Sequence, residues 1–389
     1  MVLFLAASVL YFRKHPLGFN PYFLWPILLF AFMFISLLWS EDSAKSIRGI
    51  TKSLPFLLLP LPFLLGYSLT KIQRDLLLRC FGLSMVLYAV FYLLKAVVRF
   101  WITGDTGVFF YHELVTFDLN AIYVSVFFVQ AFFILLQQKR TLFHYTGLIL
   151  LLALLLLLSS KNVVVTFIIL ISIYFFRHRN HINWNVKTKL VLAISTLFLV
   201  LASMQFAKRY ADEISVQWVK YNQPEQVLLN EDGTHNVSLF EAWNNEKFTE
   251  NDYFTGISLR VYLVRVFTEM LQERDQWYLG TGYNATDHYL KKSVQEKGMY
   301  PEYSRYNFHN QYIQIFAELG IIGLVLILIL LLSVFKTALQ TKDFTTFVFS
   351  ILMISLFLTE SYFHRQRGIL FFVIFYCVLS ASKGLRPQK

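Results

Sequence analysis

At 389 residues, 56% hydrophobic and 15% charged, the chain is far from a soluble domain, which carries about 25% charged residues, and reads as a polytopic membrane protein. A formal net charge of +11 could suggest nucleic acid as a partner, but the basic residues sit mostly beside apolar runs, where membrane topology and anionic lipid groups account for them. Cys80 and Cys377 both lie in apolar runs, leaving neither a disulfide framework nor a cysteine-based metal motif.

Apolar runs near the ~20-residue bilayer length recur at 1–12, 21–39, 53–70, 77–100, 114–136, 142–158, 162–176, 187–206, 311–335, 344–360 and 366–382. The expected fold is an all-α polytopic membrane protein of about eleven transmembrane helices, the first of them short. It divides into N-terminal transmembrane helices at 1–206, a long loop at 207–309 and C-terminal transmembrane helices at 310–389. The charges of MVLFLAASVLYFRKH follow its apolar run, the reverse of a cleavable signal peptide. Short basic connections at 13–15, 71–79, 137–140, 177–189, 336–342 and 383–389 fall on one side if every run crosses once. By the positive-inside rule that side is cytoplasmic, and the long loop is external. The N-terminus is then external if 1–12 crosses; otherwise that piece is interfacial or an initial helix is missing from this chain.

The loop holds most of the acids, several tryptophans and tyrosines, and turn signals such as Asn230 to Gly233. Within it, Ser258 to Leu271 has helical periodicity, with Leu259, Leu263, Phe267 and Leu271 apolar and Arg260 and Arg265 basic. This predicts an amphipathic helix lying on the membrane or capping the bundle. Loops of this length usually carry function.

The stretch from Tyr306 to Leu324, YNFHNQYIQIFAELGIIGL, joins that loop to a long apolar run. A helix starting near His309 puts Gln311, Gln314 and Glu318 on one face. Glu318 then lies roughly 13 Å along the axis, where an ionised side chain costs several kcal/mol unless paired or hydrated. The stripe should therefore face a protein interior or a polar cavity, and Gly320 and Gly323 allow a neighbour to approach closely. Spacing alone leaves two readings equal, a polar helix start with one satisfied glutamate and a functional site.

Cations accumulate on or near the external side: Lys45, Arg48, Lys52, Lys95, Arg99, Lys161, Arg260, Arg265, Arg305, Arg365 and Arg367. Each alone is explained by snorkelling. Together they suit an anionic substrate at the outer leaflet, and a diphosphate fits arginine forks and compact lysine charges. His309 can be a proton acceptor at neutral pH or an ordinary helix-end histidine. His235 and His288 lack carboxylates at metal spacing, and there is no HExxH, Walker A, dinucleotide fingerprint or GxSxG element.

HNQYIQIFAELGIIGL resembles the signature of the O-antigen ligase and polymerase superfamily, bacterial integral membrane glycosyltransferases, through His309, Asn310, Tyr312, Glu318, Gly320, Gly323 and Leu324. A second block is similar: Arg260 opens a helix that leads to Tyr278-Leu-Gly-Thr-Gly282. More weakly, SSKNVVVTF at 159–167 stands where the family has Ser-Arg-Gly, with Lys161 for the arginine, and Trp39-Ser-Glu-Asp42 with Lys45 and Arg48 looks like its early external loop.

The resemblance implies an O-antigen ligase-type glycosyltransferase of the bacterial inner membrane, working at the periplasmic face. It would move a glycan from an undecaprenyl diphosphate carrier to a hydroxyl of a lipid A core or another acceptor, inverting and without metal or cofactor. The residues it implicates are His309, Arg260 and Lys161 as catalytic, Arg48, Asn310, Arg265, Arg305 and Tyr312 in substrate binding, and Glu318, Gly320 and Gly323 in support. Glu318 and Glu360 either orient a base or a cation in the bundle or are structural, the structural reading being preferred for Glu360. The partners are the carrier-linked donor, the acceptor and membrane lipids, with no nucleic acid. A polymerase of the same superfamily shares this chemistry. A lipid-linked glycan transporter is the reading from another class, weakened by the asymmetric loop and the lack of an evident inverted repeat.

Overall fold

The computed structural model describes residues 2–116, 119–138, 142–158, 160–178, 233–274 and 277–381. The expected span at 187–206, and the loop up to residue 232, fall outside them. Each other expected span overlaps a helix, that at 114–136 only over Ala121–Leu136 and that at 53–70 only as far as Leu64. Among the described residues four helices are long and apolar enough to cross a membrane, Pro21–Leu38, Ser43–Leu64, Lys71–Thr103 and Gln311–Thr341, beside shorter apolar helices at Leu3–Phe12, Ala121–Leu136, His144–Leu158, Phe344–Leu356 and Gln366–Ser380. This is an all-α membrane architecture.

The chain forms two compact units. One comprises Met1–Tyr67, Ala207–Leu332 and Phe357–Cys377, and the other Ser68–Phe206, Ser333–Leu356 and Val378–Lys389.

In the first unit, the second long helix begins ten residues before the apolar run expected at 53–70, because Asp42 caps it by accepting from the Lys45 N–H at 3.0 Å. Its prolines then divide it into Ser43–Ser53, Pro55–Leu58 and Pro60–Leu64, each later piece opening on the proline that ends the one before. The loop folds as a body with its own core. Strands His235–Val237 and Asp252–Phe254 pair in parallel, and Ser238 and Glu241 close a capping box on the helix Leu239–Asn244. The helix Gly256–Arg274 runs through the core of Phe248, Phe254, Tyr262, Phe267, Tyr289 and Met299.

This removes the membrane-lying alternative for Ser258 to Leu271 and leaves the bundle-capping one, since Ala317 of the helix Gln311–Thr341 belongs to the same core and Ile313 and Phe316 pack against it. Tyr262, Val266 and Met270 are buried along with Leu263, Phe267 and Leu271, so the apolar face is wider than the stripe read from the sequence. It is occupied by protein rather than left for lipid.

The second unit is built on Ala121–Leu136, in which every side chain but Ile122 and Phe127 is buried. Beside it stands the 33-residue helix Lys71–Thr103, opened by a Thr70–Gln73 capping box and closed by Gly104 at φ 68°. Arg74, buried, pairs with Asp343, and Asn162 bonds to Ser355 through both its amide nitrogen and oxygen. A buried charge pair and a two-way amide contact are how polar groups persist in an apolar bundle.

Candidate active site

The helix Gln311–Thr341 starts where Asn310 accepts from the Tyr312 and Ile313 N–H groups at 2.9 and 3.1 Å, while its amide donates to the Leu358 carbonyl at 3.1 Å. Asn310 thus caps the helix and ties it to the segment ahead of Gln366–Ser380. The polar stripe faces inward. Gln311, Gln314 and Glu318 are 1%, 3% and 3% exposed. The Gln311 N–H donates to the Phe357 carbonyl and its Oε1 accepts from the Phe363 N–H. Gln314 accepts from the Phe308 N–H and donates to Thr286 and to Glu318. The stripe is therefore a satisfied internal network, and Glu318 is held within it.

Two residues further the helix breaks. Gly320 adopts φ 62° and ψ −163°, a region open essentially to glycine alone. The break frees the Ala317 and Glu318 carbonyls, which accept from the Thr281 and Gly282 N–H groups at 3.0 and 2.9 Å, while the Ile321 N–H donates to the Trp277 carbonyl at 2.8 Å. The Tyr278–Gly282 run thus lies against the broken turn as its backbone partner. Its other side meets the early block. Trp39 Nε1 donates to the Leu279 carbonyl at 3.1 Å, the Glu41 N–H to the Thr281 carbonyl at 3.0 Å, and the Asn284 amide to the Lys45 carbonyl at 2.9 Å. Three of the four similar blocks are thereby knitted into one framework.

His309 sits just before the helix in a left-handed conformation, φ 46°, its N–H donating to Asn307 Oδ1 at 2.9 Å. Its Nδ1 faces Glu360 Oε2 at 3.7 Å. The other oxygen of the same carboxylate, Oε1, lies 3.6 Å from Arg260 Nη2. Glu360 is buried, whereas the side chains of His309 and Arg260 keep 22% and 38% of their surface open. Arg260 also donates to the Gly256 and Thr359 carbonyls at 2.6 and 3.2 Å. His309 Nδ1 and Arg260 Nε are both buried without a hydrogen-bond partner.

The other candidate residues divide. Arg48 is exposed, its Nε on the Ala44 carbonyl of its own helix. Arg265 is buried and engaged, at 2.7 Å from both Glu269 and the Asn245 carbonyl. Arg305 is exposed and paired with Glu302 at 2.9 Å. Tyr312 packs its ring 6.0 Å from that of Phe357. Gly323 carries no side chain where a Cβ would come within 2.4 Å of Leu319. Lys161 opens the helix Lys161–His178 in the second unit. Glu360, read as structural, is the carboxylate the cluster shares. Its signal in the sequence is that it is the lone acid between Phe344 and Ser382.

Elsewhere in the loop, His235 pairs with Asp252 at 2.6 Å and His288 with Glu41 at 2.9 Å. Among the described residues no group of three or more histidine, cysteine, aspartate or glutamate side chains is placed to hold a metal ion.

Fold and site together define a multi-pass helical membrane protein whose polar loop folds against the start of a broken helix and brings a histidine and a guanidinium to Glu360, a carboxylate of the connection before Gln366–Ser380. Such a cluster can take up a proton and stabilise a developing negative charge. The chain belongs to the O-antigen ligase family, whose model matches residues 127–328. Members are glycosyltransferase-like enzymes, ligases or polymerases, that handle lipid-linked glycans. Comparison with curated proteins gave no match.

Proposed function

We propose that this protein is a ligase-type glycosyltransferase of the bacterial inner membrane, passing a glycan from an undecaprenyl diphosphate carrier to an acceptor hydroxyl at the periplasmic face. The observation that carries this reading is the Glu360 carboxylate, with one oxygen toward His309 and the other toward Arg260.

In the proposed reaction the acceptor oxygen attacks the anomeric carbon as the bond from that carbon to the diphosphate oxygen breaks, inverting the centre. The acceptor proton passes to His309, whose Nδ1 side is turned to Glu360, leaving Nε2 for the substrate. Glu360 fixes the ring's orientation and stabilises the imidazolium once it forms. Gaps of 3.6 and 3.7 Å are of the kind that tighten when substrate closes a site. Arg260 offers its guanidinium to the departing diphosphate, whose charge grows as the bond breaks. Arg265 is committed to Glu269 and has a scaffold role in this scheme. Lys161 enters only through its motif. The reaction calls for no metal, so EDTA should leave it unchanged.

The test is complementation of a strain lacking the protein, with surface glycan resolved by gel, using wild type, His309→Ala and Glu360→Gln. A ligase predicts that the null strain accumulates long carrier-linked polymer that never reaches the surface acceptor. Single repeat units on the acceptor would instead assign a polymerase. An unchanged pattern would remove the transferase reading. For His309→Ala, loss of a general base predicts a rate about 10²- to 10⁴-fold lower.

A further inference from the structure

Tyrosine recurs at every third position ahead of the histidine: Tyr300, Tyr303, Tyr306 and then His309. Pro301–Arg305 is a 3-10 turn, in which residues three apart lie over one another. The successive ring centroids are 6.4, 6.0 and 5.4 Å apart, so the rings form a row that ends at His309. Tyr303 anchors its middle. The Tyr303 hydroxyl accepts from the Phe254 N–H at 3.0 Å, and its ring packs 5.3 Å from that of Phe254. Tyr300 and Tyr306, on either side, remain 48% and 40% exposed. At the end of the row lie His309, whose Nε2 is left for the substrate, and Arg260, whose Nε is buried without a hydrogen-bond partner.

Exposed tyrosines also mark membrane interfaces, but an interfacial belt requires neither a three-residue register nor an unsatisfied polar atom at its end. Partly exposed aromatic rings leading to polar groups suit a ligand with apolar C–H faces and many hydroxyls. We propose that Tyr306 and Tyr300 are stacking subsites for pyranose rings of the glycan, Tyr306 next to the reacting end and Tyr300 further along the chain. This rests on the glycosyl-transfer reading and adds where the sugar chain lies.

The probe is the organism's own glycan, released from its lipid carrier by mild acid. Its binding is measured by saturation-transfer NMR on full-length His309→Ala protein in detergent, so that no turnover intervenes. With ring contacts of the usual strength, Tyr306→Ala should weaken binding about 3- to 10-fold, Tyr300→Ala by less, and Tyr306→Phe and Tyr306→Trp hardly at all. In the protein with His309 intact, Tyr306→Ala should raise KM more than it lowers kcat. Tyr306→Leu, which keeps apolar bulk without a flat ring, should behave like the alanine variant, and the melting temperature of each variant checks its folding. Unchanged binding in Tyr306→Ala, or equal losses in the phenylalanine and alanine variants, overturns the subsites. If the His309→Ala protein binds no glycan while wild type transfers it, the subsites fall and the transfer reading stands. Ring-dependent binding without any transfer by wild type sinks the transfer reading instead and leaves a glycan-binding surface.

Discussion

Gly320→Ala against Gly104→Ala separates two costs of replacing a glycine. Both residues have positive φ, 62° and 68°. At Gly104 an added Cβ meets nothing within 4 Å, so only the left-handed conformation is charged, about 1–2 kcal/mol. At Gly320 the dihedral region itself costs about 1–3 kcal/mol for another residue, and the Cβ would lie 2.1 Å from the Tyr278 carbonyl oxygen. Backbone cannot give way there without disturbing the three hydrogen bonds that join the broken turn to the Trp277–Gly282 segment, each with a net worth of about 0.5–1.5 kcal/mol. The sum is about 3–7 kcal/mol, a large share of the 5–15 kcal/mol typical of a whole domain. Fluorescence-detected size exclusion of heated, detergent-solubilised protein should show Gly104→Ala close to wild type and Gly320→Ala melting far earlier or failing to accumulate. Equal midpoints for the two variants would refute the account of the break.

The Asn310→Ala variant loses the cap on Tyr312 and Ile313, and the thermal midpoint should report about 0.5–2 kcal/mol, largely restored in Asn310→Ser. Burial raises the Glu269 carboxyl, but hydrogen bonds from Lys297 and Arg265 outweigh it and hold the group below its ordinary 4.5. Below that value the unfolded chain binds more protons than the folded one, so this contribution is complete above about pH 4.5 and fades as pH falls through the lowered folded value. Melting curves between about pH 3 and 6 should show this acid-side loss in wild type and not in Glu269→Gln. Arg260→Ala should abolish transfer with expression intact, while Lys161→Arg should be tolerated. An active Arg260→Ala would remove that residue from the site, and a dead Lys161→Arg would mean a pocket fitted to a compact ammonium.

Much of this was legible along the chain because it is local. Hydropathy placed the apolar helices, since a bilayer-length apolar run has few other fates. The stripe of Gln311, Gln314 and Glu318 read correctly as inward-facing, because helical spacing and the cost of burying charge are properties of the sequence. Ser258 to Leu271 was legible as a helix but not as a core element. Its covering residues, Phe248, Phe254, Tyr289 and Met299, come from other parts of the loop. The start of the second long helix was missed because hydropathy does not register an aspartate cap.

Residue types and their periodicity established that the protein is helical, membrane-embedded and furnished with a histidine at a helix start and an arginine on a loop helix. Tertiary structure alone decided that the two share Glu360, a residue 51 positions beyond one and 100 beyond the other. It also decided that Arg265, five residues from Arg260, is occupied by Glu269, and that Gly280 and Gly320 serve one backbone crossing. Local chemistry fixes what a side chain can do. What it faces depends on contacts between segments far apart in the chain, and no periodicity records those.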